Sequence, residues 1–113
     1  HAQAPNLFTT APVTAIQRVL ARSGWSLNEV DLYEINEAFA VVPMVAMRDL
    51  EIPHAKLNVH GGSIAVGHPF GMTGERIMTT LLNDLETLDK QYGIESMCVA
   101  GGMGMAVLVE RLN

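Results

Sequence analysis

The chain carries one dense run of small residues, Gly61-Gly62-Ser63-Ile64-Ala65-Val66-Gly67-His68-Pro69-Phe70-Gly71-Met72-Thr73-Gly74. Glycine alone adopts positive φ at low cost, so closely spaced glycines let the backbone approach itself or a ligand. Pro69 fixes its own φ and biases His68 toward an extended conformation. The run therefore predicts a loop that holds the His68 side chain in a fixed pose, just before a helix. A glycine-rich turn kept for packing, with His68 as a structural histidine, is the alternative.

Helical periodicity follows this run and also precedes it. After the run, the apolar residues of one helical stripe are Ile77, Met78, Leu81, Leu82, Leu85 and Leu88. Gly93 comes after the end of this helix. A first helix is predicted from Pro12 to an exit at Gly24, after an irregular segment over residues 1–11.

Two further segments between these helices favour helical structure. Residues 26–29 have the spacing of a capping box, which predicts a single turn. Residues 38–50 are apolar and favour a longer helix, but Pro43 lies among them. A proline inside a helix removes a hydrogen bond and clashes with the preceding turn. This helix is therefore expected either to begin near Val42 or to be kinked.

Strand patterns alternate with these helices along the chain. Residues 30–35 alternate in polarity, and residues 97–100 and 105–109 are apolar segments on either side of a glycine turn at 101–104. Alternating helices and apolar strands predict an α/β domain whose sheet is covered by helices. We expect one domain over residues 1–113, with about four strands.

Composition argues against several functional classes. The net charge is −5 and the seven basic residues are scattered, which argues against a nucleic-acid partner. No run of 18 apolar residues occurs, so no membrane span is predicted. The single cysteine, Cys98, rules out an internal disulfide framework, and His54, His60 and His68 match no zinc spacing, so no metal is predicted. The glycines at 101–104 precede a strand pattern rather than a helix, unlike a dinucleotide fingerprint.

Three polar groups stand at the boundaries between predicted elements. Asn36 ends a strand, His68 lies in the glycine run, and Cys98 lies beside the glycine turn. In open α/β sheets ligands bind at the carboxyl ends of strands, which is where Asn36 is expected. Each residue also has a structural interpretation. Asn36 suits a helix N-cap, and Cys98 suits a small buried apolar position.

Three ordered motifs carry a family resemblance. They are Asn36-Glu37-Ala38-Phe39, then Gly67-His68-Pro69 within the glycine run, then Cys98-Val99-Ala100-Gly101-Gly102. Over nearly its whole length the chain resembles the C-terminal catalytic half of a thiolase. One position departs from the common motif, because Ala100 stands where the family usually has glycine. A backbone donor survives that change only if φ at Ala100 is tolerable for alanine.

The resemblance implies a thiolase-like fold, with a mixed sheet layered with helices, and acyl transfer between coenzyme A thioesters. The reaction would be thiolysis of a 3-ketoacyl-CoA or Claisen condensation of acyl-CoAs, with acyl-CoA or acetyl-CoA as substrate and no further cofactor. By resemblance, Cys98 would remove or return the α-proton, which requires a thiolate and hence a lowered pKa. His68 would activate the nucleophilic cysteine and donate to the thioester oxygen, and Asn36 would hold a water that also donates to it.

Further roles follow from the same resemblance. The backbone N–H of Ala100 would contribute to a second oxyanion hole, and Ala38, Phe39 and His68 would contact substrate. The family's nucleophilic cysteine is not in this chain, whose one cysteine is Cys98. The chain is therefore expected to be part of an enzyme, inactive without an N-terminal thiolase half and oligomeric as a dimer or tetramer. The expected location is the cytoplasm, with mitochondria or peroxisomes as alternatives.

Two other functions remain open at this point. A non-catalytic scaffold that binds a partner protein or a lipid thioester would keep the fold, but it has no physical need for Asn36, His68 and Cys98 together. A ketoacyl synthase shares the fold but normally carries two histidines and no cysteine at the last motif. Cys98 therefore argues against a ketoacyl synthase.

Overall fold

The computed structural model describes residues 1–112 and consists of a mixed three-stranded sheet with helices on both faces. Three short 3-10 helices supplement the regular elements, at Pro5–Thr10, Leu27–Glu29 and His54–Lys56. The regular elements in chain order are α1 (Ala11–Ser23), β1 (Leu32–Ile35), α2 (Val41–Leu50), α3 (Ser63–Val66), α4 (Thr73–Thr87), β2 (Tyr92–Val99) and β3 (Met103–Glu110). None of the helices formed by residues 1–112 is both long and apolar enough to cross a membrane.

The sheet has the order β1-β2-β3, with β1 and β2 parallel and β2 and β3 antiparallel. Parallel neighbours need a long crossover connection, and the segment that contains α2, α3 and α4 provides it. The predicted α/β class is confirmed, but the expectation of four strands is wrong for residues 1–112. The segment at 57–59 makes only an isolated bridge, between Tyr33 and Leu57. Asn58 takes a left-handed φ of 46°, which ends the extended conformation and turns the chain toward the glycine run.

The two faces of the sheet bury different residues. Tyr33 and Ile35 of β1 belong to the larger core, together with residues of α1 and α2. Leu32 faces the other way and packs against Leu81 and Leu85 of α4. This separation follows from the two-residue period of a strand, which points successive side chains to opposite faces. The apolar stripe predicted for α4 is therefore the surface that covers β1.

The helix predictions hold in their main features. α1 carries Pro12 in its first turn and ends at Gly24, which has a left-handed φ of 78°. α2 begins at Val41, so Pro43 lies in the first turn, where its missing N–H would have no intrahelical partner. The helix is thus not interrupted by Pro43. The capping box around Leu27–Glu29 is present as predicted.

Two boundary predictions are wrong. Residues 1–11 are not all irregular, because Pro5–Thr10 form a 3-10 helix. β2 begins at Tyr92 rather than at 97, since its early residues pair with β1. Gly93 follows the end of α4, as predicted, and lies inside β2. A Cβ at Gly93 would meet Leu81 at 2.8 Å, so this glycine allows close helix packing.

The contact between α1 and β3 depends on one glycine. Gly104 of β3 approaches the first residue of α1 so closely that a Cβ there would lie 2.5 Å from the carbonyl oxygen of Ala11. Backbone atoms at that distance cannot move without shifting the helix. Gly104 also accepts a hydrogen bond from the N-terminal amine of His1, at 2.9 Å.

We expect Gly104→Ala to lower the free energy of unfolding by about 1–3 kcal/mol, because the added methyl group overpacks a rigid helix contact. Urea unfolding followed by circular dichroism measures this change. The matched control is Met105→Ala on the opposite face of β3, where the side chain is 61% exposed. An equal effect of the two substitutions would contradict the packing role of Gly104.

Candidate active site

Asn36 directly follows β1 at its carboxyl end and is buried, with 1% of its surface exposed. Its backbone N–H donates to the carbonyl of Ser96 at 2.9 Å, which fixes the residue against β2. The alternative that Asn36 caps a helix is wrong, because the N-cap of α2 is Ala40. The Asn36 side chain instead accepts a hydrogen bond at Oδ1 from Ser63 Oγ, at 2.5 Å. Its Nδ2 lies 3.3 Å from Nε2 of His68.

His68 lies in the exposed loop between α3 and α4, after Gly67 with a φ of 95°. Its Nδ1 lies 2.5 Å from Oγ1 of Thr73, the buried first residue of α4. Both ring nitrogens of His68 therefore have a partner, Asn36 on one side and Thr73 on the other. This geometry holds the imidazole in one orientation, as the glycine run and Pro69 predict.

The Thr73 hydroxyl can support either tautomer of His68, because a hydroxyl both donates and accepts. If Nδ1 carries the proton, it donates to Thr73, and Nε2 accepts from Asn36. If Thr73 donates to Nδ1, the proton of the ring is on Nε2, which then no longer accepts from Asn36 and is free to donate to a substrate. The site can thus place a hydrogen-bond donor on Nε2 of His68 while Thr73 keeps its hydrogen bond with Nδ1.

Cys98 lies near the end of β2 and is 7% exposed, within the larger core. Burial raises the pKa of its thiol, more than a backbone hydrogen bond lowers it. The expectation that the surroundings of Cys98 lower its pKa is therefore wrong for this chain. Removing the thiolate from water is unfavourable, and the backbone hydrogen bond only partly offsets this cost.

The candidate residues line a shared cleft. A cavity of about 430 Å³ is lined by Ala38, Phe39, His68, Cys98 and Ala100, together with Pro5, Phe8, Val99 and Gly101. A second cavity of about 460 Å³ lies between β2 and the loop that precedes α4, and it shares His68, Cys98 and Ala100 with the first. Of the predicted site residues, only Asn36 does not line either cleft, and it contacts His68.

The backbone at Ala100 accommodates alanine. Ala100 does not have a positive φ, whereas the next two residues, Gly101 and Gly102, have φ values of 80° and 86°. The left-handed conformation of the turn thus falls on glycines, which adopt it without strain. The departure from the common motif at Ala100 therefore places no steric strain on the backbone.

Three polar residues of the site were not predicted from the sequence: Ser63, Thr73 and Arg76. Ser63 Oγ accepts a hydrogen bond from Nη2 of Arg76 at 3.0 Å, and it donates to Asn36. Thr73 and Arg76 are three residues apart on α4, so they lie on the same face of the helix. The spacing of Thr73 and Arg76 was the one signal in the sequence. It does not identify their partners, His68 and Ser63, which only the structure shows.

Glu37, the second residue of the first motif, forms hydrogen bonds with the glycine run and with Asn58. Its carboxylate accepts the backbone N–H of Ile64 at 3.0 Å and the side-chain amide of Asn58 at 3.2 Å. A Cβ at Gly62 would lie 2.6 Å from the Glu37 side chain. A side chain at residue 62 would therefore displace the Glu37 carboxylate from these contacts, although the φ of −151° at Gly62 is open to any residue.

A buried carboxyl group lies behind the site. Glu34 of β1 is 2% exposed, and its Oε2 lies 3.6 Å from Nη1 of Arg76. Burial raises the pKa of Glu34 to about 8, and the nearby Arg76 only partly opposes this. The neighbouring carboxylates of Asp84, Glu37 and Glu95 contribute to this rise. Among residues 1–112, no group of three or more histidine, cysteine, aspartate or glutamate side chains could hold a metal ion.

The comparisons with known proteins agree with this geometry. The family model described as "Thiolase, C-terminal domain" matches residues 1–111. This chain belongs to the thiolase family. Its similarity to the family includes all three motifs, and the resemblance inferred from the sequence is confirmed.

Relatives of this thiolase domain have consistent names. It is 45% identical over 107 residues to the cytosolic acetyl-CoA acetyltransferase of Mus musculus, covering 95% of this chain and 27% of that protein. It is 43% identical over 109 residues to an acetyl-CoA acetyltransferase of Escherichia coli, covering 96% of this chain and 28% of that protein. The chain thus spans just over a quarter of the length of these curated relatives.

Solved structures confirm the thiolase fold. The crystal structure of the Bacillus anthracis acetyl-CoA acetyltransferase matches with a TM-score of 0.96 and 38% identity, over 99% of this chain and 28% of that one. Human mitochondrial 3-ketoacyl-CoA thiolase in complex with CoA matches equally well, with a TM-score of 0.96 and 38% identity over 100% of this chain and 29% of that one. The matched proteins include one named cytosolic and one named mitochondrial.

The stability of this thiolase domain should depend on pH through Glu34. Its pKa is about 8 in the folded state and 4.5 in the reference state, so the folded protein binds the extra proton between these values. Stability should therefore fall as the pH rises from 4.5 to about 8, by at most ~1.4 kcal/mol per pH unit. Chemical unfolding at a series of pH values measures the slope.

Glu34→Gln should flatten this slope, because glutamine stays neutral across the range. Glu75→Gln is the control, since Glu75 is exposed in the first turn of α4. A slope that is unchanged in Glu34→Gln would show that Glu34 is already ionised in the folded state at low pH.

Cys98 should react slowly with iodoacetamide at neutral pH, because the thiol is buried and its pKa is raised. We expect a lower rate than for free cysteine under the same conditions, with an increase toward alkaline pH. Intact-mass spectrometry is decisive because the chain has one cysteine. The denatured chain is the control and should react like free cysteine. Rapid alkylation of the folded chain would instead indicate a stabilised thiolate.

Proposed function

We propose that the protein to which this domain belongs transfers acyl groups between coenzyme A thioesters, by thiolysis of a 3-ketoacyl-CoA or by Claisen condensation. One observation carries the proposal: Asn36 contacts His68 at 3.3 Å, and His68 lines the same cleft as Cys98. An imidazole and a thiol that line one cleft, with an amide in contact with the imidazole, provide hydrogen-bond donors together with a proton-transfer group. Formation of an enolate from a thioester needs both a group that takes the proton and donors that stabilise the negative oxygen.

Cys98 is the proposed acid–base residue. In condensation, its thiolate takes a proton from the carbon next to the thioester carbonyl of acetyl-CoA. The resulting carbanion forms a bond to the carbonyl carbon of an acyl group, which is held as a thioester on a cysteine outside this chain. The carbon–sulfur bond of that thioester breaks, and the cysteine leaves as a thiolate. In thiolysis, the steps reverse, and the Cys98 thiol returns the proton to the enolate.

Burial affects the two directions of this reaction differently. The raised pKa of Cys98 favours the thiol, which is the form that protonates an enolate in thiolysis. Condensation needs the thiolate, so this direction requires the proton to leave Cys98 first. Once formed, a thiolate whose pKa is raised is a stronger base, which favours abstraction of a weakly acidic carbon-bound proton.

His68 and Asn36 are proposed to stabilise the enolate oxygen. Negative charge develops on this oxygen when the α-proton is removed, and donors aimed at developing charge contribute strongly to catalysis. His68 can donate from Nε2 because the Thr73 hydroxyl can donate to Nδ1. Asn36 is proposed to contribute through a bound water. The backbone N–H of Ala100 is proposed as a donor to the tetrahedral intermediate of acyl transfer.

Ala38 and Phe39 are proposed substrate contacts. Both line the cleft with His68, and the Phe39 ring is 58% exposed. Its ring packs edge-on against Phe8, with centroids 6.0 Å apart, which positions it at the cleft. No cofactor is proposed beyond the coenzyme A thioesters themselves.

The proposed partners are an N-terminal thiolase half and further copies of the same protein, as a dimer or tetramer. Exposed apolar side chains near the site support this proposal, because such side chains are commonly covered by a partner. They include Ile64, Val66 and Phe70. The chain alone is proposed to be inactive, since its one cysteine is assigned to proton transfer. We propose the cytoplasm as the compartment, with mitochondria or peroxisomes as alternatives.

In the full-length protein, Cys98→Ala should reduce condensation by about 100-fold or more, because it removes the base. Acylation of the nucleophilic cysteine should be partly retained. His68→Ala should impair both half-reactions, since His68 is assigned to both. Mass spectrometry of the acyl-enzyme measures the first half-reaction, and formation of the 3-ketoacyl-CoA measures the second.

Met105→Ala, on the exposed face of β3, is the control and should leave both half-reactions unchanged. Equal loss of both half-reactions in Cys98→Ala would overturn its role as the base. Loss of only one in His68→Ala would restrict that residue to a single role. An unmodified full-length protein that performs neither half-reaction would favour a non-catalytic scaffold.

A further inference from the structure

We propose that Ser63, held by Arg76, is a positioning residue that orients the amide of Asn36 so that its NH₂ group faces His68, which lines the cleft. This inference rests on the proposed function, because it explains how Asn36 is kept ready to act as a donor. Ser63 and Arg76 do not line either cleft that contains Cys98. Their effect must therefore pass through Asn36.

An asparagine amide can occupy its site in two orientations related by a half-turn, with the oxygen and the NH₂ group exchanged. Only one of them presents a donor on the side of His68, which lines the cleft. The NH₂ group can donate to a water, whose own protons are then free to donate to a thioester oxygen. The reversed amide would present its oxygen and accept instead. The orientation of Asn36 therefore matters for enolate stabilisation.

The hydrogen bonds of Ser63 select between the two orientations. Arg76 can only donate, and its Nη2 donates to Ser63 Oγ at 3.0 Å. The hydroxyl proton of Ser63 then points to Oδ1 of Asn36, at 2.5 Å. In the reversed amide, Asn36 would donate to the same oxygen, and the buried Ser63 proton would lose its acceptor. A buried donor without a partner is costly, so the hydroxyl favours the donor orientation.

Arg76 is itself fixed by its position between two elements. It extends from the first turn of α4, with 18% of its side chain exposed, and lies 3.6 Å from the buried Glu34 of β1. Thr73, in the same turn of α4, contacts Nδ1 of His68. One turn of α4 thus holds both ends of a continuous polar chain, whose members are Arg76, Ser63, Asn36, His68 and Thr73.

The test is a double-mutant cycle in the full-length protein, with condensation as the readout. Ser63→Ala should lower kcat by about tenfold or more, because the Asn36 amide is no longer held as a donor. KM for the coenzyme A thioester should change by less than about twofold, since Ser63 does not line the cleft. In an Asn36→Ala background, Ser63→Ala should have almost no further effect on kcat, because the residue through which it acts is gone.

Ser96→Ala is the matched control. Ser96 is also a buried serine, but its hydroxyl donates to the carbonyl of Met105 at 2.7 Å and takes no part in the polar chain. It should lower stability without a comparable loss of kcat. Ser63→Cys, which keeps a weaker donor of similar size, should give a loss between those of the natural protein and Ser63→Ala.

A second readout does not depend on activity. In isotope-labelled full-length protein, nuclear Overhauser contacts should join the Asn36 NH₂ protons to the His68 ring, and Ser63→Ala should weaken them. Unchanged contacts in Ser63→Ala would overturn the inference even if the protein is inactive. Additive effects of Ser63→Ala and Asn36→Ala on kcat would also overturn it, because they would show a purely structural role. An active protein that is insensitive to Asn36→Ala would instead contradict the proposed function of Asn36.

Discussion

The hydrogen bond from Ser63 to Asn36 joins the parts of the molecule that form the site. Asn36 belongs to the end of β1, Ser63 begins α3, and the Arg76 side chain that supports Ser63 comes from α4. The orientation of His68 depends on the same system, because Asn36 and Thr73 contact its two ring nitrogens. Ser63 and Asn36 are both buried and hydrogen-bonded to each other, so a displacement of either would leave a buried polar group unsatisfied.

The polar chain includes the charged side chain of Arg76, which is largely buried. Arg76 lies beside Glu34, yet burial and the surrounding carboxylates raise the pKa of Glu34 to about 8. Near neutral pH the neighbour of Arg76 is therefore largely a neutral acid rather than a carboxylate. A fully ionised buried pair would lose the hydration of both ions, and its attraction seldom exceeds that cost by much. Arg76 then contributes to the site through its hydrogen bond to Ser63.

Sequence patterns predicted most of the helices and the class of the fold, because those features depend on local periodicity. The stripe of α4 and the start of α2 near Pro43 are both local properties. Strand number and the start of β2 were mispredicted, since pairing with a distant strand decides them. The sign of the Cys98 pKa shift was also mispredicted, because burial in the core is a property of the assembled sheet.

The sequence by itself determined the family, the order of the three motifs and the candidate residues Asn36, His68 and Cys98, because residue type and spacing are local information. Only the tertiary structure decided which of these residues meet. Nothing in the chain near Ser63 or Arg76 indicates that they contact Asn36, since 27 residues separate Asn36 from Ser63 and 13 separate Ser63 from Arg76. Their contact exists because the parallel crossover brings α3 and the first turn of α4 back to the end of β1.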